Sequence, residues 1–127
     1  MWAGAKITDN IEYWHLTDLE IINKMNKMNP LEIFQKEAPE VAKAFDGMIE
    51  ALKNTTGLDA KTKQLVYIGI KSSMGDTTAI YYHVQMAKKL GASREEIKDT
   101  ILITLSVCGL KGVANCLPTA LEIYDKT

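Results

Sequence analysis

Apolar positions recur along this chain at spacings of three and four residues, and no run alternates apolar and polar residues long enough to make a strand. The pattern predicts an all-α protein of about six or seven helices. Thr17 and Glu20 form a capping box that opens a helix carrying Leu19, Ile22 and Met25 and stopping before Asn29 and Pro30. A short helix over 30–37 begins with Pro30, and Pro39 opens a longer one with Val41, Phe45, Met48, Ile49 and Leu52 on one face. Thr55, Thr56 and Gly57 end it.

Asp59 caps the next helix, from Ala60 to about Ser73, with Leu65, Ile68 and Gly69 inward. After Gly75, Asp76 caps a helix from Thr77 to Leu90, which Gly91 terminates. These two, over residues 60–90, form an antiparallel pair at the centre of the fold. Ser93 and Glu96 make a second capping box. The helix that follows is amphipathic at Ile97 and Ile101 but apolar nearly all round through Ile103, Leu105 and Val107, which places it inside a bundle or at an oligomer interface. Gly109 and Gly112 break it. A last helix, Asn115 to Tyr124, turns Leu117, Ala120, Leu121 and Tyr124 inward and holds Pro118 in its first turn. The first ten residues, with Trp2 and Ile7, have no periodicity and are either frayed or laid against a neighbouring subunit, the tryptophan favouring an arm over about residues 1–16.

A length of 127 residues fits a single domain spanning 1–127. Fifteen basic against sixteen acidic residues, with no dense basic run, argue against nucleic acid. No stretch of about 18 apolar residues could cross a bilayer and no signal peptide is evident, so the expectation is a cytoplasmic protein without a membrane partner. Arg94 is the lone arginine, which leaves lysines as the cations for an acidic substrate. Cys108 and Cys116 are too few for a disulfide framework and read as small buried thiols. His15 and His83 are far apart with no carboxylate cluster around them, so no metal site is expected, and no phosphate-cradling loop or other cofactor motif is present.

The stretch LDAKTKQLVYIGIKSSMGDTTAIYYHVQMAKKLGASREEI, residues 58–97, is the most specific part of the sequence. With Leu58, Asp59, Lys61 and Lys63, then His83, Ala87, Gly91, Ala92, Ser93, Glu95, Glu96 and Ile97 in order, it resembles the carboxymuconolactone decarboxylase and alkyl hydroperoxidase D (AhpD-like) family. The resemblance covers about residues 30–124 and implies a helical bundle assembled into trimers or hexamers, with the pocket near a subunit boundary. The peroxidase branch carries Glu, Cys and Cys at set distances before its histidine. Counting back from His83 puts Gln64, Asp76 and Ala79 there. Asp76 caps a helix, Ala79 has no nucleophile and Gln64 cannot act as a base near neutral pH. The decarboxylase branch keeps the histidine and needs no cysteine, but its Tyr-Ala-Gly-Val-Pro stretch is here Cys108, Gly109, Leu110, Lys111, Gly112.

His83 shares a stripe with Ile80, Ala87 and Leu90, and the resemblance makes it the candidate catalytic base or proton donor, with Gln64 orienting a water or substrate. Lys71 lies seven residues beyond Gln64 on nearly the same face and could receive a substrate carboxylate. Lys111, between two glycines, is a loop cation at the pocket mouth. Tyr67, Tyr81 and Tyr82 are read mainly as packing and oligomer contacts, with Tyr67 also a candidate substrate contact. The expected function is to act on, or bind, a small lactone or carboxylate at a His83 pocket. A peroxidase or disulfide reductase using Cys108 or Cys116, and a binding protein without catalysis, stand as alternatives.

Overall fold

The computed structural model describes residues 29–127; the helix expected at 17–28 and the arm with Trp2, Trp14 and His15 lie outside the described residues. The chain divides into two compact units, Met1–Leu52 and Lys53–Thr127. No strand occurs among the described residues.

In the first unit, α1 (Pro30–Glu37) begins where the sequence predicts, with Pro30 leading and the Asn29 side chain accepting from the Leu31 N–H at 2.9 Å. Helix α2 (Pro39–Lys53) follows after Ala38. The Phe34 and Phe45 rings meet edge to face, centroids 5.9 Å apart. Ala42 is the one buried residue of α2, and its predicted apolar face at Val41, Phe45, Met48 and Leu52 is exposed.

The second unit holds α3 (Ala60–Met74), α4 (Thr77–Lys89), α5 (Arg94–Leu102), α6 (Leu105–Cys108) and α7 (Lys111–Lys126). Asp59 Oδ1 accepts from Thr62 N–H at 2.7 Å to start α3. Its end is a left-handed glycine turn: Gly75 has φ +73°, its N–H reaches Ser72 O, and Asp76 N–H reaches Lys71 O, both at 3.0 Å. Since Asp76 also caps α4, the connection is too short for anything but an antiparallel neighbour. Gly91, at φ +95°, closes α4 with the same pair of bonds, leaving Ala92 buried just beyond it.

Two expectations fail at the C-terminal end. The helix opened by Ser93 stops at Leu102 instead of continuing to Val107, and the four-residue α6 is separate. Thr104 at the break turns its hydroxyl back to Ile101 O at 2.6 Å, the local bond by which threonine competes with helix continuation. Ile103 and Val107 are 70% and 79% exposed, so this segment is not inside the bundle. Helix α7 starts four residues earlier than predicted, because Gly109 (φ +64°) alone supplies the break while Gly112 sits inside the helix. Pro118 therefore lies in the helix interior, where its missing N–H leaves Ala114 O without that helical donor; Ala114 is exposed.

Ile68, Ile80, Val84, Ala87, Ala92, Ile97, Ile101, Cys116, Ala120 and Ile123 form the core, where α4 packs on α3 and α7, and α5 packs on both of those. Gly112 marks a close approach of α7 to Ser72 of α3 and to Thr104. A Cβ there would lie 2.9 Å from Ser72 O and 2.6 Å from Thr104 Oγ1, distances that no side chain tolerates without backbone movement. The far end of α7 is tied down by Tyr124, whose hydroxyl donates to Ala92 O at 2.9 Å, and by Asp125, which accepts from Nε and Nη2 of Arg94 at 2.8 and 3.1 Å.

Candidate functional site

The inward stripe of α4 buries Ile80, Val84 and Ala87, and His83 sits at the edge of that stripe, half-buried. Across from it, α3 presents Gln64, Tyr67 and Lys71 at successive turns, spacings of three and four that put them on one face. Gln64 Oε1 lies 2.7 Å from His83 Nδ1. A carbonyl oxygen can only accept, so Nδ1 carries the proton and Nε2 keeps its lone pair. The Tyr67 ring stacks on the imidazole with centroids 3.7 Å apart and planes at 25°. Lys71 Nζ stands 5.7 Å from the Tyr67 ring centroid and pairs with Asp76 Oδ2 at 3.2 Å. Asp76 uses its other oxygen to accept from Ala79 N–H at 3.1 Å, capping α4.

Burial pushes the His83 pKa below the usual histidine value, and the nearby Lys71 charge pushes it the same way. At neutral pH the imidazole is uncharged and its Nε2 is a proton acceptor. The hydrogen bond to Asp76 raises the Lys71 pKa, with Tyr67 adding to the effect. Asp76 is held below the usual carboxylate range by the Ala79 backbone N–H and by Lys71. A neutral imidazole and an ion-paired ammonium thus both stand against the Tyr67 ring, one stacked on it and one 5.7 Å from its centroid.

The fold brings together His83, Gln64, Tyr67, Lys71, Asp76 and Ala79. Gln64 contacts the histidine itself, where its sequence position suggests an orienting role towards water or substrate. Tyr67 packs on His83, in line with a packing role. Lys111 is corrected: it is the first residue of α7, not a loop cation, and its Cε lies 3.2 Å from where a Gly75 Cβ would be. Tyr81 and Tyr82 are both half exposed and meet edge to face. With Thr77, Thr78 and Thr119 they line an open surface cleft of about 370 Å3 that includes none of the predicted site residues. Sequence reasoning missed the Lys71 to Asp76 ion pair. Its available signal was a helix cap following directly on a glycine turn, which brings a carboxylate back over the last turn of the preceding helix.

The cysteines stand elsewhere. Cys116 is buried in the core, where desolvation pushes its thiol up; the Ser72 hydroxyl beside it partly offsets this while making no hydrogen bond of ordinary geometry. Cys108 ends α6, half-buried, with its thiol on Thr104 O at 3.4 Å. Among the described residues no three His, Cys, Asp or Glu side chains converge on a metal site, and no helix is long and apolar enough to cross a membrane.

The sequence model of the carboxymuconolactone decarboxylase family matches residues 39–122, which takes in α2 through most of α7. The chain belongs to this family. As a family member it has a solved structural counterpart in the apo form of a carboxymuconolactone decarboxylase family protein from Legionella pneumophila. The two share a TM-score of 0.67 and 27% identity over 91% of this chain and 96% of the other. Two uncharacterized proteins of Methanocaldococcus jannaschii are also similar. One is 24% identical over 93 residues, covering 73% of this chain and 87% of its own length, and the other 28% identical over 97 residues, covering 76% and 89%.

Proposed function

We propose that this family member binds, and acts by acid–base chemistry on, a small organic carboxylate or lactone at His83. The observation that carries the reading is the 2.7 Å contact of His83 Nδ1 with Gln64 Oε1, which sets the tautomer and leaves the Nε2 lone pair of a half-buried ring that feels the charge of Lys71. Gln64 orients the imidazole, Lys71 draws the anion in, Tyr67 lines the site, and Lys111 adds positive charge near the same corner. Thiol chemistry has no support at this position, where Asp76 and Ala79 stand, and Cys116 is buried with its thiolate disfavoured. Assembly into a homo-oligomer is part of the proposal. Its support is the run of exposed Val66, Ile70 and Met74 along α3, beside Tyr67, together with the exposed face of α2.

The test is turnover of γ-carboxymuconolactone, or its binding followed by calorimetry, in the wild type and His83→Ala. Loss of a general base is expected to lower turnover by about 10² to 10⁴-fold. Turnover unchanged in His83→Ala overturns the assignment, and activity abolished by Cys108→Ser with Cys116→Ser would return the thiol reading.

A further inference from the structure

Asp76 has two jobs on its two oxygens: Oδ1 caps α4 through Ala79 N–H at 3.1 Å, and Oδ2 holds the Lys71 ammonium at 3.2 Å. The cap alone would be served equally well by asparagine or serine. A carboxylate adds a fixed anion, and its effect is to restrain a long, flexible lysine at the end of the Gln64, Tyr67 and Lys71 stripe, alongside the ring that stacks on His83. Tyr67 covers one face of the imidazole, and the Nε2 lone pair, which lies in the ring plane, stays reachable at the ring edge. His83 and the Asp76-held Lys71 both stand against the Tyr67 ring, and a neutral base with a restrained cation suits a carbon acid whose conjugate base puts its charge on oxygen.

We propose that Asp76 is a positioning residue that clamps Lys71 as the seat of an enolate oxygen, so that the site transfers a proton at a carbon next to a ketone or lactone carbonyl. This rests on the reading of His83 as the base. The C–H bond breaks and its proton goes to Nε2. The C–H electron pair becomes the C=C bond of the enolate, the C=O π pair moves onto oxygen, and Lys71 stabilises that oxygen by a charge-assisted hydrogen bond. Gln64 Oε1, accepting from Nδ1–H, steadies the imidazolium. The same imidazolium returns its proton to carbon, at the original or the conjugated position, so no oxidant, reductant or co-reactant is consumed. Destabilisation of the imidazolium by burial and by Lys71 favours that return.

The experiment follows hydrogen–deuterium exchange of 4-oxopentanoate, and exchange and double-bond migration of the unsaturated lactone α-angelica lactone, by proton NMR in D2O. Binding of each probe is read in parallel from the His83 ring resonances. Wild type is expected to exchange both probes well above the buffer rate. Lys71→Met is expected to lose about 10² to 10³-fold in rate, the scale of one removed oxyanion donor. Asp76→Asn keeps the α4 cap, so thermal stability and KM are expected to hold while kcat falls about tenfold, the scale of a displaced catalytic group. Asp76→Ser, which also caps, is expected to behave the same way, so that the loss tracks the charge and not the fold. Wild-type kcat in Asp76→Asn overturns the positioning role. Probe binding at His83 without exchange overturns the proton-transfer activity and leaves the preceding reading standing. Exchange that survives His83→Ala overturns the preceding reading, and this inference with it.

Discussion

The α1–α2 unit and the α3–α7 unit carry the same kind of sequence pattern and put it to different use. Val41, Phe45, Met48 and Leu52 recur on α2 at helical spacing just as Ile80, Val84 and Ala87 do on α4. The α4 residues have no exposed surface, whereas those of α2 are 40% to 61% exposed. Amphipathic spacing states which face of a helix is apolar and leaves open what covers it. In the larger unit the cover is supplied within the same unit by α3 and α7, while the face of α2 stays exposed.

That contrast can be broken most sharply at Gly112. Gly112→Ala places a methyl group against Ser72 O and Thr104 Oγ1 and is expected to destabilise the α3–α7 unit by about 1 to 3 kcal/mol, read by urea unfolding. Gly47→Ala, on α2 with open space around it, serves as the control and is expected to be neutral or slightly stabilising.

A smaller effect is expected from Val41→Ser with Met48→Ser. At protein concentrations where the chain is monomeric, exposed positions shift stability within about 0.5 kcal/mol. If α2 is covered by another copy, the same pair is expected to lower the assembled mass in light scattering. A mass unchanged by the double substitution would remove α2 from the interface.

The least effect is expected from acid. His83 has its folded-state pKa depressed below the ordinary value of about 6.5, so the unfolded chain binds the proton more readily. Its contribution to stability is fully present above pH 6.5 and is lost as the pH falls from there through the folded pKa. His83→Gln is expected to flatten that part of the unfolding profile, and a profile unchanged by the substitution would place the imidazole in water.

Much of the fold is legible along the chain because helix ends are local chemistry. Pro30, Pro39, Asp59, Asp76 and Ser93 mark starts, and Gly75 and Gly91 mark stops, each acting within a turn of its own position. The reading fails where a local signal has two meanings. Gly112 looks like a helix breaker and is a packing notch, since only the approach of Ser72 and Thr104 distinguishes the two roles. Thr104 ends α5 by bonding its own backbone in a segment whose apolar residues suggested continuation.

The sequence by itself determined the helical class and the helix ends from Pro30 to Ser93, the branch positions held by Gln64, Asp76 and Ala79, and His83 as the residue to watch. Tertiary structure decided what these residues do to one another. The partners of His83, nineteen and sixteen residues before it, reach it only because a two-residue turn folds α3 and α4 antiparallel. The tautomer, the lowered pKa and the restrained Lys71 are consequences of that pairing. Hydrogen bonds and burial depend on distances across the fold, and helical periodicity carries no record of them.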